Sequence, residues 1–104
     1  MMSTIFHVMK EEHDRLVEAD QAYRSSIDKL PAGSVRVKHI RNRDYLYLAR
    51  RAGAKVVDDY VGPIDSAKAK EVLEQIKRRK RFEGLLKEIR QGLKDVKKVL
   101  RGKV

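Results

Sequence analysis

The chain has no cysteine and no tryptophan, and only two phenylalanines and two prolines among its 104 residues. Without cysteine, disulfides and thiolate chemistry are excluded, and a cytoplasmic setting is the default expectation. With aromatic residues at 6%, the core must be thin and mostly aliphatic. A domain this small buries only a modest part of its surface. Such a core leaves little room for the concave, largely apolar pocket that catalysis needs, so a non-enzymatic protein is expected. No apolar run approaches membrane-spanning length, and the opening Met1-Met2-Ser3-Thr4-Ile5-Phe6 has neither a basic start nor a long apolar core. No membrane contact is expected.

Catalytic and metal-binding signatures are missing as well. His7, His13 and His39 lack ligand spacing, since two ligands on one helix face stand at i and i+4 while His7 and His13 are six apart. Asp44, Asp58 and Asp59 read as strand-end carboxylates, and no Gly-rich phosphate loop or Ser-His-Asp set is present. No cofactor is expected.

What the chain has in excess is charge. Charged residues reach 38%, against roughly 25% in ordinary globular chains, and the formal net charge is +10. The charge is graded along the sequence. Residues 1–33 hold four Lys/Arg against six Asp/Glu, residues 34–62 hold seven against three, and residues 63–104 hold fourteen against six. An acidic start therefore precedes a basic middle and a strongly basic end, and the uncompensated positive surface should lie on the latter two.

Periodicity divides the chain into three parts. Ile5, Met9, Glu12, Leu16, Ala19, Tyr23, Ser26 and Leu30 recur at alternating spacings of four and three, which predicts a first helix over 3–30. Ser3 or Thr4 would be its N-cap, and Pro31 would stop it. Glu12 and Ser26 interrupt the seam, where they would set register or mark the ends of the buried patch. Val35–Ile40, Asp44–Arg50 and Lys55–Val61 read as three short strands joined by tight turns at Asn42 and Gly53, an antiparallel β-meander over 34–62. On the middle strand Leu46 and Leu48 face one way, Tyr45 and Tyr47 the other.

A last helix over 65–101 is capped by Asp65 or Ser66. Ala69, Val72, Leu73 and Ile76 form one apolar patch on it. After the run Lys77-Arg78-Arg79-Lys80-Arg81, a heptad resumes at Phe82, Leu86, Ile89, Leu93, Val96 and Leu100. Gly84 and Gly92 each weaken this helix by about 1 kcal/mol. The expected architecture is a single α+β domain over 1–104, in which the two helices pair as an antiparallel hairpin and the sheet forms a head. Because the last helix is the longer, its C-terminal seam is expected to overhang, inviting a coiled-coil homodimer. The tail Arg101-Gly102-Lys103-Val104 reads as disordered.

The segment from Leu30 to Gly62, about a third of the chain, resembles a small, uncharacterised prokaryotic family. Its members share a Leu-Pro-x-Gly-Ser start, a basic strand, a Tyr-rich strand, a Gly-Lys-Val turn and a closing Tyr-Val/Ile-Gly. Leu30, Pro31, Gly33, Ser34, Tyr45, Tyr47, Gly53, Lys55, Val56, Tyr60, Val61 and Gly62 carry the likeness, and Ala54, between Gly53 and Lys55, departs from it. Similar sheets occur in some transposases and beside nucleotidyltransferases of toxin–antitoxin or defence loci. The resemblance implies a mobile-element or defence setting and names no catalytic residue.

Two basic groups are the candidate nucleic-acid site. On the sheet, Arg36, Lys38, Arg41, Arg43, Arg50, Arg51 and Lys55 supply charge, and Tyr45 and Tyr47 can stack or bond phosphate. A small sheet of this kind can meet the major groove of DNA. The competing view packs Tyr45, Tyr47 and Tyr60 against a helix and leaves the cations as a solvated face. On the last helix, Lys77, Arg78, Arg79, Lys80 and Arg81 can grip phosphates or pair with Glu74 and Glu83. Duplex DNA is the leading partner and RNA a further one. The alternative is an antitoxin-like or adaptor module that binds an acidic protein.

Overall fold

The structure, a computed structural model, describes residues 2–101. Helix α1 (Met2–Asp28) is followed by strands β1 (Ser34–Ile40), β2 (Arg43–Ala52) and β3 (Lys55–Pro63), then by helix α2 (Ala67–Arg101). The strands form one antiparallel sheet in the order β1-β2-β3. This is the expected α+β arrangement of two helices and a meander. The expected tail at Gly102–Val104 lies outside the described residues. Among the described residues no helix is long and apolar enough to cross a membrane.

The chain forms two compact units, one combining α1 with the part of α2 from Arg81 onward, the other spanning Lys29–Lys80. In the first unit the helices run antiparallel. Tyr23 meets Phe82 at 5.5 Å between ring centroids, Arg90 Nε donates to Asp20 Oδ2 at 3.1 Å, and Leu16 packs over Gly92. Leu16, Ile27, Leu86 and Val96 are buried. Helix α1 begins at Met2 and continues through Ser3 and Thr4, so neither is its N-cap.

Two details of the seam differ from the heptad reading. Ile27 is buried beside the half-buried Ser26. A straight helix drifts about 20° per heptad, and three heptads after Ile5 the drift turns Ile27 closer to the seam than Ser26. Glu12 does not reach across the seam. It binds Arg15 on its own helix, and that hydrogen bond holds its carboxyl below the usual carboxylate range.

The length argument reverses. The first 14 residues of α2 belong to the other unit, so only residues 81–101, about 31 Å of helix, face about 40 Å of α1. Leu100 lies with Phe6 and Lys10 at the start of α1. Exposed large apolar residues of this unit stand on both helices, Ile5, Phe6, Val8 and Val17 on α1 and Val99 on α2, and the seam residues Val96 and Leu100 of α2 are not an overhang.

Gly84 is exposed, and a Cβ there would meet nothing within 4 Å. Gly84→Ala is therefore expected to stabilise the protein by about 0.5–1 kcal/mol, through helix propensity and a less flexible unfolded chain. A rise in the denaturant midpoint at unchanged slope checks it.

The second unit builds its core on one side of the sheet. Leu46 is the one fully buried large side chain described, at 0% exposure, and Ala69 and Ile76 of α2 are buried with it. Ser66 is the cap of α2. Its Oγ accepts from the Ala69 amide at 3.2 Å and donates to the Pro63 carbonyl at 2.7 Å, and it lies beside Gly62 on the Leu46 side of the sheet. Helix α2 therefore covers the Leu46 face.

Gly33 is where the chain enters the sheet, at φ 124°. A Cβ built there would strike the Ala49 carbonyl oxygen, so backbone must approach backbone and only glycine fits. Gly33→Ala is expected to destabilise by more than 1 kcal/mol, read as a lower midpoint of chemical unfolding.

Candidate nucleic-acid interface

Two tight turns fix which side chains share a face. The β1–β2 turn is the pair Arg41-Asn42, both at positive φ (52° and 65°), the signature of a type I′ hairpin. It sets Ile40 opposite Arg43, and hence Lys38 opposite Tyr45 and Arg36 opposite Tyr47. The β2–β3 turn is Gly53-Ala54, with Gly53 at φ 65°, as a type II′ turn requires. It sets Ala52 opposite Lys55 and therefore Tyr47 opposite Tyr60. A bulge at Val61, between the Leu46 and Tyr47 pairings, then brings Pro63 opposite Tyr45.

Alternation does the rest. One face carries Val35, Val37, Leu46, Leu48 and Val57 and is the side that α2 covers. The other carries, row by row, Ile40 with Arg43, Lys38 with Tyr45, then Arg36, Tyr47 and Tyr60, then Ser34, Ala49 and Asp58, and last Arg51 with Val56. This second face is open. Tyr60 is 56% exposed and Ile40 45%. Tyr60 is thus not buried under a helix, while Tyr45 and Tyr47 are half-buried and Ala49, next along the same face, is buried.

The open face has an aromatic centre and a cationic margin. Tyr47 and Tyr60 meet edge to face at 5.4 Å between centroids, and Tyr45 and Tyr60 lie 6.1 Å apart. Lys38 Nζ sits 4.3 Å from the Tyr47 ring centroid, a cation–π contact. A shallow depression of about 430 Å³ is lined by Ile40, Arg41, Tyr45, Tyr47 and Tyr60.

Five cations, Arg36, Lys38, Arg41, Arg43 and Arg51, stand on this face or its turn against one carboxylate, Asp58. Asp58 is shared, at 3.1 Å from Lys38 Nζ and 3.7 Å from the Arg36 guanidinium. The side chains of Arg41, Arg43 and Arg51 make no hydrogen bond or ion pair among the described residues. The formal balance of the face is +4.

The remaining candidates lie elsewhere. Arg50 points to the other face and pairs with Asp59, and Lys55 shares that face at the β2–β3 turn. Arg79 Nη1 donates to the Leu30 carbonyl at 2.8 Å and so ties α2 to the segment after α1. Lys77, Arg78 and Lys80 are exposed on α2. Arg81 begins the other unit. Of the cations singled out on the sheet, Arg36, Lys38, Arg41, Arg43 and Arg51 thus share one face or its turn, and Arg50 and Lys55 do not.

Tyr60 is the residue that sequence reasoning places only in a packing role. Its signal is arithmetical: a two-residue turn at Gly53-Ala54 puts Tyr60 directly opposite Tyr47. Among the described residues no three His, Asp or Glu side chains converge as a metal site would need.

Comparison with protein-family models, curated proteins and solved structures finds no match to this chain.

Proposed function

We propose that the protein is a non-enzymatic nucleic-acid-binding protein whose contact surface is the open face of the sheet. The observation that carries this reading is the segregation of groups on that face, where five cations and three tyrosines share one exposed side with a single carboxylate. Cations unpaired within the fold are free to neutralise phosphates, and each phosphate neutralised releases counterions. Aromatic rings among them offer contact to bases.

Arg41 supports the same reading. An arginine held at φ 52° costs about 1 kcal/mol relative to the glycine or asparagine that a type I′ turn favours. A strained residue kept at an exposed tip suits a side chain that is used there. The mobile-element or defence setting rests on the resemblance of Leu30–Gly62 alone.

Fluorescence anisotropy with labelled oligonucleotides over a salt series tests the proposal. With about four phosphates neutralised, the log–log slope should be about −3, so affinity falls roughly 60-fold between 50 and 200 mM salt. Absence of binding to any oligonucleotide at 50 mM salt would overturn it.

A further inference from the structure

Resting on that reading, we infer that the open face takes unpaired nucleic acid, with Tyr60 as a platform for one base and Tyr45 for its neighbour. In a duplex, consecutive bases on one strand are stacked on each other 3.4 Å apart, and only their edges are offered in the grooves. The Tyr45 and Tyr60 rings are 6.1 Å apart and tilted by 48° to each other, so they cannot both lie flat on two bases that remain stacked in parallel. Each ring can therefore serve a separate base only if the bases have come apart from one another. An unpaired strand supplies such bases without the work of opening a duplex.

The distribution of polar groups points the same way. A surface that reads the major groove needs long polar side chains at its centre, reaching donors and acceptors on base edges. Here the central rows hold Tyr45, Tyr47 and Tyr60, the two cations beside them, Arg36 and Lys38, are drawn to Asp58, and the unpaired arginines stand at the ends, Arg41 and Arg43 at one and Arg51 at the other. That pattern suits bases lying on rings while the backbone follows the cations. Tyr47 is the least available of the three, because Lys38 already occupies its ring. Tyr60 is the most available at 56% exposure.

The test compares labelled single strands of about 12 nucleotides, as oligo(dT) and oligo(U), with a duplex of the same length at one salt concentration. Either single strand should bind at least tenfold more tightly than the duplex, and the two sugars show whether the strand is DNA or RNA. Tyr60→Leu, which keeps apolar volume but removes the ring, should lower single-strand affinity about tenfold and leave duplex affinity within twofold. Tyr60→Phe should bind as the parent does, which separates stacking from any loss of fold.

A second readout is intrinsic. The chain has four tyrosines and no tryptophan, and three of the tyrosines lie on this face, so single strands should quench its fluorescence. A duplex binding as tightly as the single strands, or a Tyr60→Leu variant with unchanged preference, would overturn the inference while leaving nucleic-acid binding intact. No binding to either form would overturn both.

Discussion

Replacing Arg41 and Arg43 together by glutamate is expected to weaken nucleic-acid binding by about 100-fold and to flatten its salt dependence. Both side chains are exposed at the β1–β2 turn and neither has a partner to lose, so the change removes ligand contacts without breaking an internal one. Two charge-assisted contacts at about 1.5 kcal/mol each give that magnitude, and the log–log slope should fall by about 1.4 to 1.8. The discriminating control is Lys94→Glu with Lys98→Glu, two exposed cations of α2 in the other unit. It changes the net charge equally. If binding followed total charge alone, the two double variants would be equivalent; a contact surface on the sheet requires the first to be far more severe. Circular dichroism should be unchanged in both.

The second large effect concerns stability. Leu46→Ala is expected to cost about 3 kcal/mol, within the range of 2–5 kcal/mol for truncating a buried leucine. Leu46 is completely buried at the centre of a small core, between neighbours that cannot close a void cheaply. Small domains hold only about 5–15 kcal/mol in total, so this variant loses a large share of its margin. Val37→Ala, on the same face but 56% exposed on the edge strand, should cost well under 1 kcal/mol. Urea unfolding of the pair checks both values. Similar midpoints for the two would mean that α2 does not cover this side of the sheet.

Much of the architecture was legible in the residues because local chemistry and periodicity agree. Pro31 ends the first helical pattern, Asn42 and Gly53 mark the two hairpins, and alternation on β2 separates leucines from tyrosines. The run Lys77–Arg81 marks where the α2 pattern divides, but the residues did not show that the two sides belong to different units. Its apolar patch at Ala69–Ile76 and its later heptad look like one interrupted seam, yet they belong to different units. Counting total helix lengths therefore predicted an overhanging α2 seam that the pairing of residues 81–101 with α1 does not leave.

The candidate site was legible in part for a similar reason. Runs of like charge carry no periodic information about direction, so Arg50 looks equivalent to Arg43 and Arg51 until the register assigns it to the opposite face. Arg79 is distinguished only by its bond to the Leu30 carbonyl, 49 residues away in sequence. Tyr60 was accessible through turn length and strand parity, but not through composition.

The most direct test is an amide chemical-shift titration of the intact chain with an unlabelled oligonucleotide. Binding through the open face requires the largest shifts between Arg36 and Tyr47 and at Tyr60, with α1 and the later part of α2 quiet. Shifts concentrated on those helices, with Tyr45, Tyr47 and Tyr60 undisturbed, would contradict it.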